Sequence, residues 1–120
     1  MEEFTKLITL SLSSKVQVMS TIYAHQDFTL LDIINPAASK GAGLAAVADE
    51  LRVARDEVMA VGDNYNDLEM LSFAGTGVLM GNAAPILREK YKEFHLTATN
   101  DEAGVAVAIQ RFILSAFENT

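Results

Sequence analysis

The feature that most constrains this chain is a rhythm that begins at Ser39. Leu44, Val47, Ala48 and Leu51 recur at helical spacing, and the short apolar run Val58-Met59-Ala60-Val61 then leads straight into Gly62-Asp63. A second helix is expected from about Asn66 to Phe73 and a strand over Gly77 to Met80. Asn82 is placed to cap a third helix, with Pro85 in the first turn, where a missing N–H costs nothing. Phe94 to Thr97 reads as the next strand. Val105, Ile109, Phe112, Ile113 and Ala116 mark one stripe of a final helix behind Asn100-Asp101. Short apolar strands alternating with amphipathic helices predict an α/β fold, with a parallel sheet flanked by helices and functional groups at the strands' C-terminal ends. The site is therefore expected just after Val61.

The first 35 residues read differently. Phe4, Leu7 and Ile8 have helical spacing, whereas Val16, Val18, Ser20 and Ile22 alternate with Lys15, Gln17 and Met19 as a strand would. The polar run Ala24-His25-Gln26-Asp27 separates these from a second extended segment, Phe28 to Ile34, which Pro36 ends. A helix followed by an antiparallel hairpin is expected over 1–35, and the alternating α/β unit over 36–120.

Half of the 120 residues are apolar, enough for one core, and the formal net charge of −7 disfavours nucleic acid as a partner. With no cysteine there is no disulfide framework, thiolate metal site or thiol nucleophile. The N-terminus Met1-Glu2-Glu3-Phe4 is acidic where a secretory signal is basic, and no apolar run approaches the roughly 18 to 20 residues of a membrane span. A cytoplasmic protein without a membrane partner is the expectation.

Chemistry concentrates in Gly62-Asp63-Asn64-Tyr65-Asn66-Asp67, two carboxylates four residues apart across a loop and a helix start. Mg²⁺ takes oxygen ligands, keeps several waters, and is typically held by one or two carboxylates plus substrate phosphate. Asp63 and Asp67 suit that role, with Asp67 also able to orient its neighbours and Asn66 able to hydrogen-bond either. The alternative is that these residues only cap a helix. Lys40, in Ser39-Lys40-Gly41, is less easily explained by capping, because a cation at a helix start opposes the macrodipole. Beside free N–H groups a lysine makes a phosphate site. Asn100 and Asp101 read mainly as a helix cap, Met59, Met70 and Met80 as packing residues, and His25 and His95 as strand or surface histidines.

Taken together, Leu31-Asp32-Ile33-Ile34-Asn35-Pro36-Ala37-Ala38-Ser39-Lys40-Gly41, Gly62-Asp63-Asn64-Tyr65-Asn66-Asp67, Val78-Leu79-Met80-Gly81-Asn82-Ala83 and Thr99-Asn100-Asp101-Glu102-Ala103-Gly104-Val105 resemble the Cof-type branch of the haloacid-dehalogenase phosphatases. The resemblance covers roughly residues 28 to 115. It implies a Rossmann-like core with an inserted cap, of which 1–35 would be a remnant. It also implies Mg²⁺ as cofactor and a small phosphorylated metabolite, such as a sugar phosphate, as substrate. By the same resemblance Lys40 contacts phosphate, Asp63 is a metal ligand, and Asn66 and Asp67 support the metal and phosphate site. The family's nucleophile lies in an Asp-x-Asp-Gly-Thr pattern near its N-terminus, and forms an aspartyl-phosphate that water hydrolyses. This sequence has no such pattern, and neither Asp27 nor Asp32 has the required neighbours.

The chain therefore reads as a C-terminal fragment, inactive alone, that pairs with another copy or with a chain supplying the first half. A non-catalytic phosphate- or metal-binding domain is the alternative. A phosphorylation-domain fragment of a cation-pumping ATPase, which shares a related Gly-Asp-x-x-Asn-Asp segment, is a lesser one.

Overall fold

The computed structural model describes residues 2–12, 15–22 and 27–118. Helix α1 (Glu2–Leu12) is followed by strands β1 (Gln17–Ile22) and β2 (Thr29–Ile34), which pair antiparallel with Gln17 opposite Ile34 and Ile22 opposite Thr29. This is the expected helix and hairpin, although His25 lies outside the described residues. The second unit holds α2 (Lys40–Glu50), β3 (Met59–Gly62), α3 (Leu68–Phe73), β4 (Thr76–Leu79), α4 (Pro85–Lys90), β5 (His95–Leu96) and α5 (Gly104–Ile109). A π-helical turn, Gln110–Leu114, then leads to α6 (Ser115–Glu118). The three strands form a parallel sheet in the order β3-β4-β5, with Met59 opposite Thr76 and Val78 opposite His95. The α/β class and parallel sheet expected from the alternation are present.

The core sits around β4, the central strand. Gly77, Val78 and Leu79 are all buried, so both faces of the strand are covered, as a parallel strand requires. Leu79 packs with Ala60, Leu71, Ala74, Ala83 and Leu87, placing β3, α3 and α4 on one cluster. Pro85 stands at the first position of α4, as expected. Helix α3 stops at Phe73 because the Arg55 guanidinium takes up its last carbonyls, donating from Nε to Phe73 O at 2.6 Å and from Nη2 to Ser72 O at 3.1 Å. The same guanidinium lies 4.9 Å from the centre of the Phe73 ring.

Two expectations fail in informative ways. Asn82 does not cap α4, whose preceding residue Ala84 makes no side-chain cap; its Oδ1 instead accepts the Asn100 N–H at 2.9 Å. The terminal stripe is displaced, because Val105, Ile109 and Ile113 are exposed while Gly104 and Ala108 are buried and Phe112 half-buried. Small residues face inward there because the helix start lies tightly against the chain, with a Cβ on Gly104 meeting the Met80 methyl at 2.8 Å. Met80 is buried and Met59 and Met70 are half-buried, as their packing role anticipates. Exposed His95 stacks obliquely on Phe112, 4.6 Å between ring centres. Among the described residues no helix is long and apolar enough to cross a membrane.

Just past α2, Arg52 is exposed and left-handed, with φ 56°. This is the position where helices most often place glycine, since a side chain there is strained. Arg52→Gly is expected to stabilise the protein by about 0.5–1 kcal/mol despite the added freedom of the unfolded chain. Thermal denaturation checks it, and an unchanged or lower Tm would count against the strain.

Candidate functional site

The two regions flagged by the sequence meet at the C-terminal end of β3. The chain leaves β3 at Gly62, passes Asp63 and Asn64, and makes a 3₁₀ turn, Tyr65–Asp67, that runs directly into α3. Asn64 is extended and its side chain accepts the Tyr65 N–H at 2.8 Å. The turn folds Asp67 back under the loop. Its Oδ2 accepts the N–H groups of Asp63 at 2.9 Å and Asn64 at 3.2 Å. Its Oδ1 accepts from Lys40 Nζ, 27 residues earlier in sequence, at 2.5 Å. Asp67 is the buried carboxylate of this cluster, with 4% of its surface exposed, whereas the Lys40 side chain is half exposed.

Two glycines make that arrangement fit. A Cβ on Gly62 would stand 2.5 Å from Asp67 Cβ and 2.8 Å from its Cγ, so a larger residue would expel the carboxylate from its place beneath the loop. A Cβ on Gly41 would stand 2.5 Å from Glu69 Cγ and 2.9 Å from its Cβ, so glycine allows the first turn of α2 to lie against α3. Ser39 caps α2, accepting the Ala42 N–H at 2.9 Å, and this sets Lys40 as the helix's first residue. The unfavourable interaction of the lysine with the helix dipole is offset by its contact with Asp67.

The two carboxyls titrate in opposite directions. Burial raises the Asp63 carboxyl above its ordinary value; the Asp67 charge and contact raise it further, against a smaller downward pull from Lys40 and its own backbone N–H. Burial also pushes Asp67 upward. There the Lys40 ammonium and the N–H groups of Asp63 and Asn64 outweigh it, and the net direction is down. Asp67 is therefore held ionised by protein donors, while Asp63 presents an exposed carboxylate to whatever approaches the strand end.

Of the residues singled out from the sequence, Lys40, Asp63 and Asp67 are brought together. Asn66 is half-buried in the same turn, and no hydrogen bond joins it to either aspartate among the described residues. Tyr65 packs on the core cluster. Asn100 and Asp101 are exposed, and the Asn100 backbone is tied to Asn82. Strand β1 packs against the Tyr65–Asp67 turn, bringing the hairpin to this end of the sheet. Beside the hairpin an open groove is lined by Gln17, Val18, Pro36, Ser39, Ala42 and Glu69. The sequence offers Asp67 as a residue that orients its neighbours; which groups it holds, the Asp63 and Asn64 amides, is visible only in the folded loop.

The cluster offers one exposed carboxylate, that of Asp63. One exposed carboxylate suits a hard cation that takes one or two carboxylates, but no group of three or more His, Cys, Asp or Glu side chains is placed to enclose an ion among the described residues. Asp63 fits such a ligand, whereas both oxygens of Asp67 are already engaged.

Comparison with known proteins places this geometry in context. Residues 1–109 match the model of the haloacid dehalogenase-like hydrolase family. The chain is 45% identical over 82 residues to the stress response protein YhaX of Bacillus subtilis, covering 68% of this chain and 28% of that protein. It is 40% identical over 83 residues to the 5-amino-6-(5-phospho-D-ribitylamino)uracil phosphatase YitU of the same organism, covering 69% and 30%. Among solved structures it is similar to a phosphatase of the haloalkanoate superfamily from Bacteroides thetaiotaomicron, at 32% identity and a TM-score of 0.73, covering 92% of this chain and 38% of that one. The chain thus spans less than half the length of these relatives. With the fold, the matched residues and the strand-end cluster in agreement, the chain belongs to the haloacid dehalogenase-like hydrolase family.

Proposed function

We propose that these residues form the Lys40–Asp63–Asp67 half of a magnesium-dependent phosphatase acting on small phosphate monoesters, sugar phosphates among them. On this reading the other half, including the nucleophile, is supplied by sequence outside these 120 residues. The observation that carries the reading is the junction of Lys40 with the β3 loop through Asp67, which sets a cation and an exposed carboxylate at one strand end. Lys40 contacts the transferring phosphoryl oxygens as a point charge. Asp63 serves as the metal ligand, and the bound Mg²⁺ would neutralise developing phosphoryl charge. Asp67 was expected to be a second ligand; its geometry favours a positioning role, fixing Lys40 and the backbone of Asp63 and Asn64. Asn66 stands beside them as a hydrogen-bond donor for substrate. The hairpin of 1–35, as a cap remnant, contributes the wall of the groove in which the ester's leaving group lies.

The test is phosphatase activity of the natural gene product from its own cell, with any upstream coding sequence. Magnesium-dependent turnover of p-nitrophenyl phosphate, abolished by chelator, is the expected result, together with none from the isolated 120 residues. If the natural product is inactive but binds phosphate, the non-catalytic reading takes its place. That reading draws on the missing Asp-x-Asp-Gly-Thr pattern. Turnover by the isolated chain that is lost in Lys40→Ala would contradict the incompleteness of the site.

A further inference from the structure

We propose that the connection from β2 to α2 is a rigid strut, with Asn35 as its positioning residue, through which a leaving group engaged by the hairpin sets where Lys40 meets the phosphoryl group. The catalytic half of this inference rests on the phosphatase reading, whereas the strut itself does not.

Residues 35–39 separate the last residue of β2 from Lys40, and none of them is glycine. Their conformation is fixed step by step. Asn35 O accepts the Ala38 N–H at 2.9 Å, closing a β-turn, and Asn35 Oδ1 accepts the Ala37 N–H at 2.8 Å inside it. Pro36 holds the second position of that turn, where its ring presets φ. Ser39 is extended, at φ −160° and ψ 162°; its Oγ accepts the Ala42 N–H and its carbonyl accepts the Gly43 N–H at 3.0 Å. Lys40 follows at once and is tied through Asp67 to the loop after β3. A continuous run of bonds thus leads from the Gln17–Ile34 pair of the hairpin to the cation of the site.

Packing contributes little to this stiffness. Asn35, Pro36, Ala37 and Ala38 are all exposed, so the turn keeps its shape through its own hydrogen bonds and the proline ring. Asn35 supplies both acceptors of the turn, and its side chain is the one that a substitution can remove without opening the core. The groove beside the hairpin draws on everything the strut joins: Gln17 and Val18 come from the hairpin, Pro36 from the turn, Ala42 from α2 and Glu69 from α3. With the connection stiff, α2 follows the hairpin when a leaving group shifts it. Binding energy from a remote part of a substrate raises turnover when it orients the reacting groups, and a strut that ends at Lys40 is a direct path for it.

The test uses the natural gene product in three forms: unsubstituted, Asn35→Gly, which removes the side-chain acceptor and frees the backbone, and Asn35→Asp, which keeps an acceptor in place. Backbone dipolar couplings of the hairpin and of α2 should fit one alignment frame in the unsubstituted protein and in Asn35→Asp. In Asn35→Gly they should need two, with the Ala37 and Ala38 amides exchanging at least about tenfold faster. Turnover is compared on acetyl phosphate, whose small leaving group offers the hairpin little, and on a panel of hexose phosphates. Asn35→Gly should lose about tenfold or more in kcat on the best hexose phosphate while acetyl phosphate stays within about twofold, and Asn35→Asp should keep both. If Asn35→Gly fails to fold, Asn35→Ala takes its place. Two frames in the unsubstituted protein, or one frame with unchanged exchange in the substituted one, overturns the strut. Equal losses on the two substrates, or none on either, overturn its link to Lys40. A natural product that turns over neither substrate overturns the phosphatase reading, and the couplings and exchange still decide the strut.

Discussion

Asp67→Ala is expected to destabilise the protein by about 2–4 kcal/mol, read from the denaturant midpoint. The carboxylate is 4% exposed and accepts three donors, so its removal strands the N–H groups of Asp63 and Asn64 and leaves Lys40 without its anchor. Losing a buried pair outright costs about 3–5 kcal/mol. Here the half-exposed Lys40 recovers hydration, which lowers the figure. The pH dependence has a definite sign. Asp67 is held below its ordinary value of 3.8, and a depressed carboxyl adds stability that is full above the unfolded pKa and is lost as pH falls through the folded one. The difference between the unsubstituted protein and Asp67→Ala should therefore be flat at neutral pH and shrink below about pH 4. A variant as stable as the parent at pH 7, or a gap that widens on acidification, would remove the role assigned to the buried carboxylate. Asp67→Asn, which keeps one acceptor oxygen, should recover part of the loss.

The strand-end site was legible because its cues are local. Val58 to Val61 is apolar and bounded by Gly62, so β3 and the loop after it follow from a run of adjacent residues, and Ser39 caps α2 through an amide three residues on. Where the partner is distant, local patterning loses its hold. Asn82 had the residue type of a cap, but the amide it satisfies belongs to Asn100 on the neighbouring loop. The terminal helix had a regular stripe of large apolar residues, yet its contact face is set by how closely the chain lies at Gly104, which favours Gly104 and Ala108 over Val105 and Ile109. The bond from Lys40 to Asp67 joins two recognised motifs through the packing of α2 on α3, and no spacing within either motif contains it. Sequence gave the two residues their separate chemistry, and the tight contact at Gly41 makes them one unit.

At Asp63 the same physics runs the other way, and Asp63→Asn is expected to separate stability from function. Burial and the neighbouring Asp67 charge raise the Asp63 carboxyl, against the lesser pull of Lys40, so its ionised form is held at a cost to the fold. A raised carboxyl pKa means that this cost is present above the raised value and is relieved as falling pH protonates the group. Asparagine keeps the shape without the charge. At neutral pH the variant should gain roughly 0.5–1 kcal/mol, a modest figure because the side chain is exposed and screened, and the gain should vanish on acidification through the raised pKa. Added Mg²⁺ should raise the Tm of the parent and leave the variant unmoved, since ligand binding stabilises only a state that binds. On the proposed phosphatase reading, turnover by the natural gene product should fall at least about a thousandfold. A variant that is less stable at neutral pH would show that Asp63 has a structural bond the fold needs. One that keeps the parent's response to Mg²⁺ would move the metal away from this strand end. The combination of higher stability and lost turnover is what a site residue held in place for an incoming cation produces, because its charge is favourable only when that cation arrives.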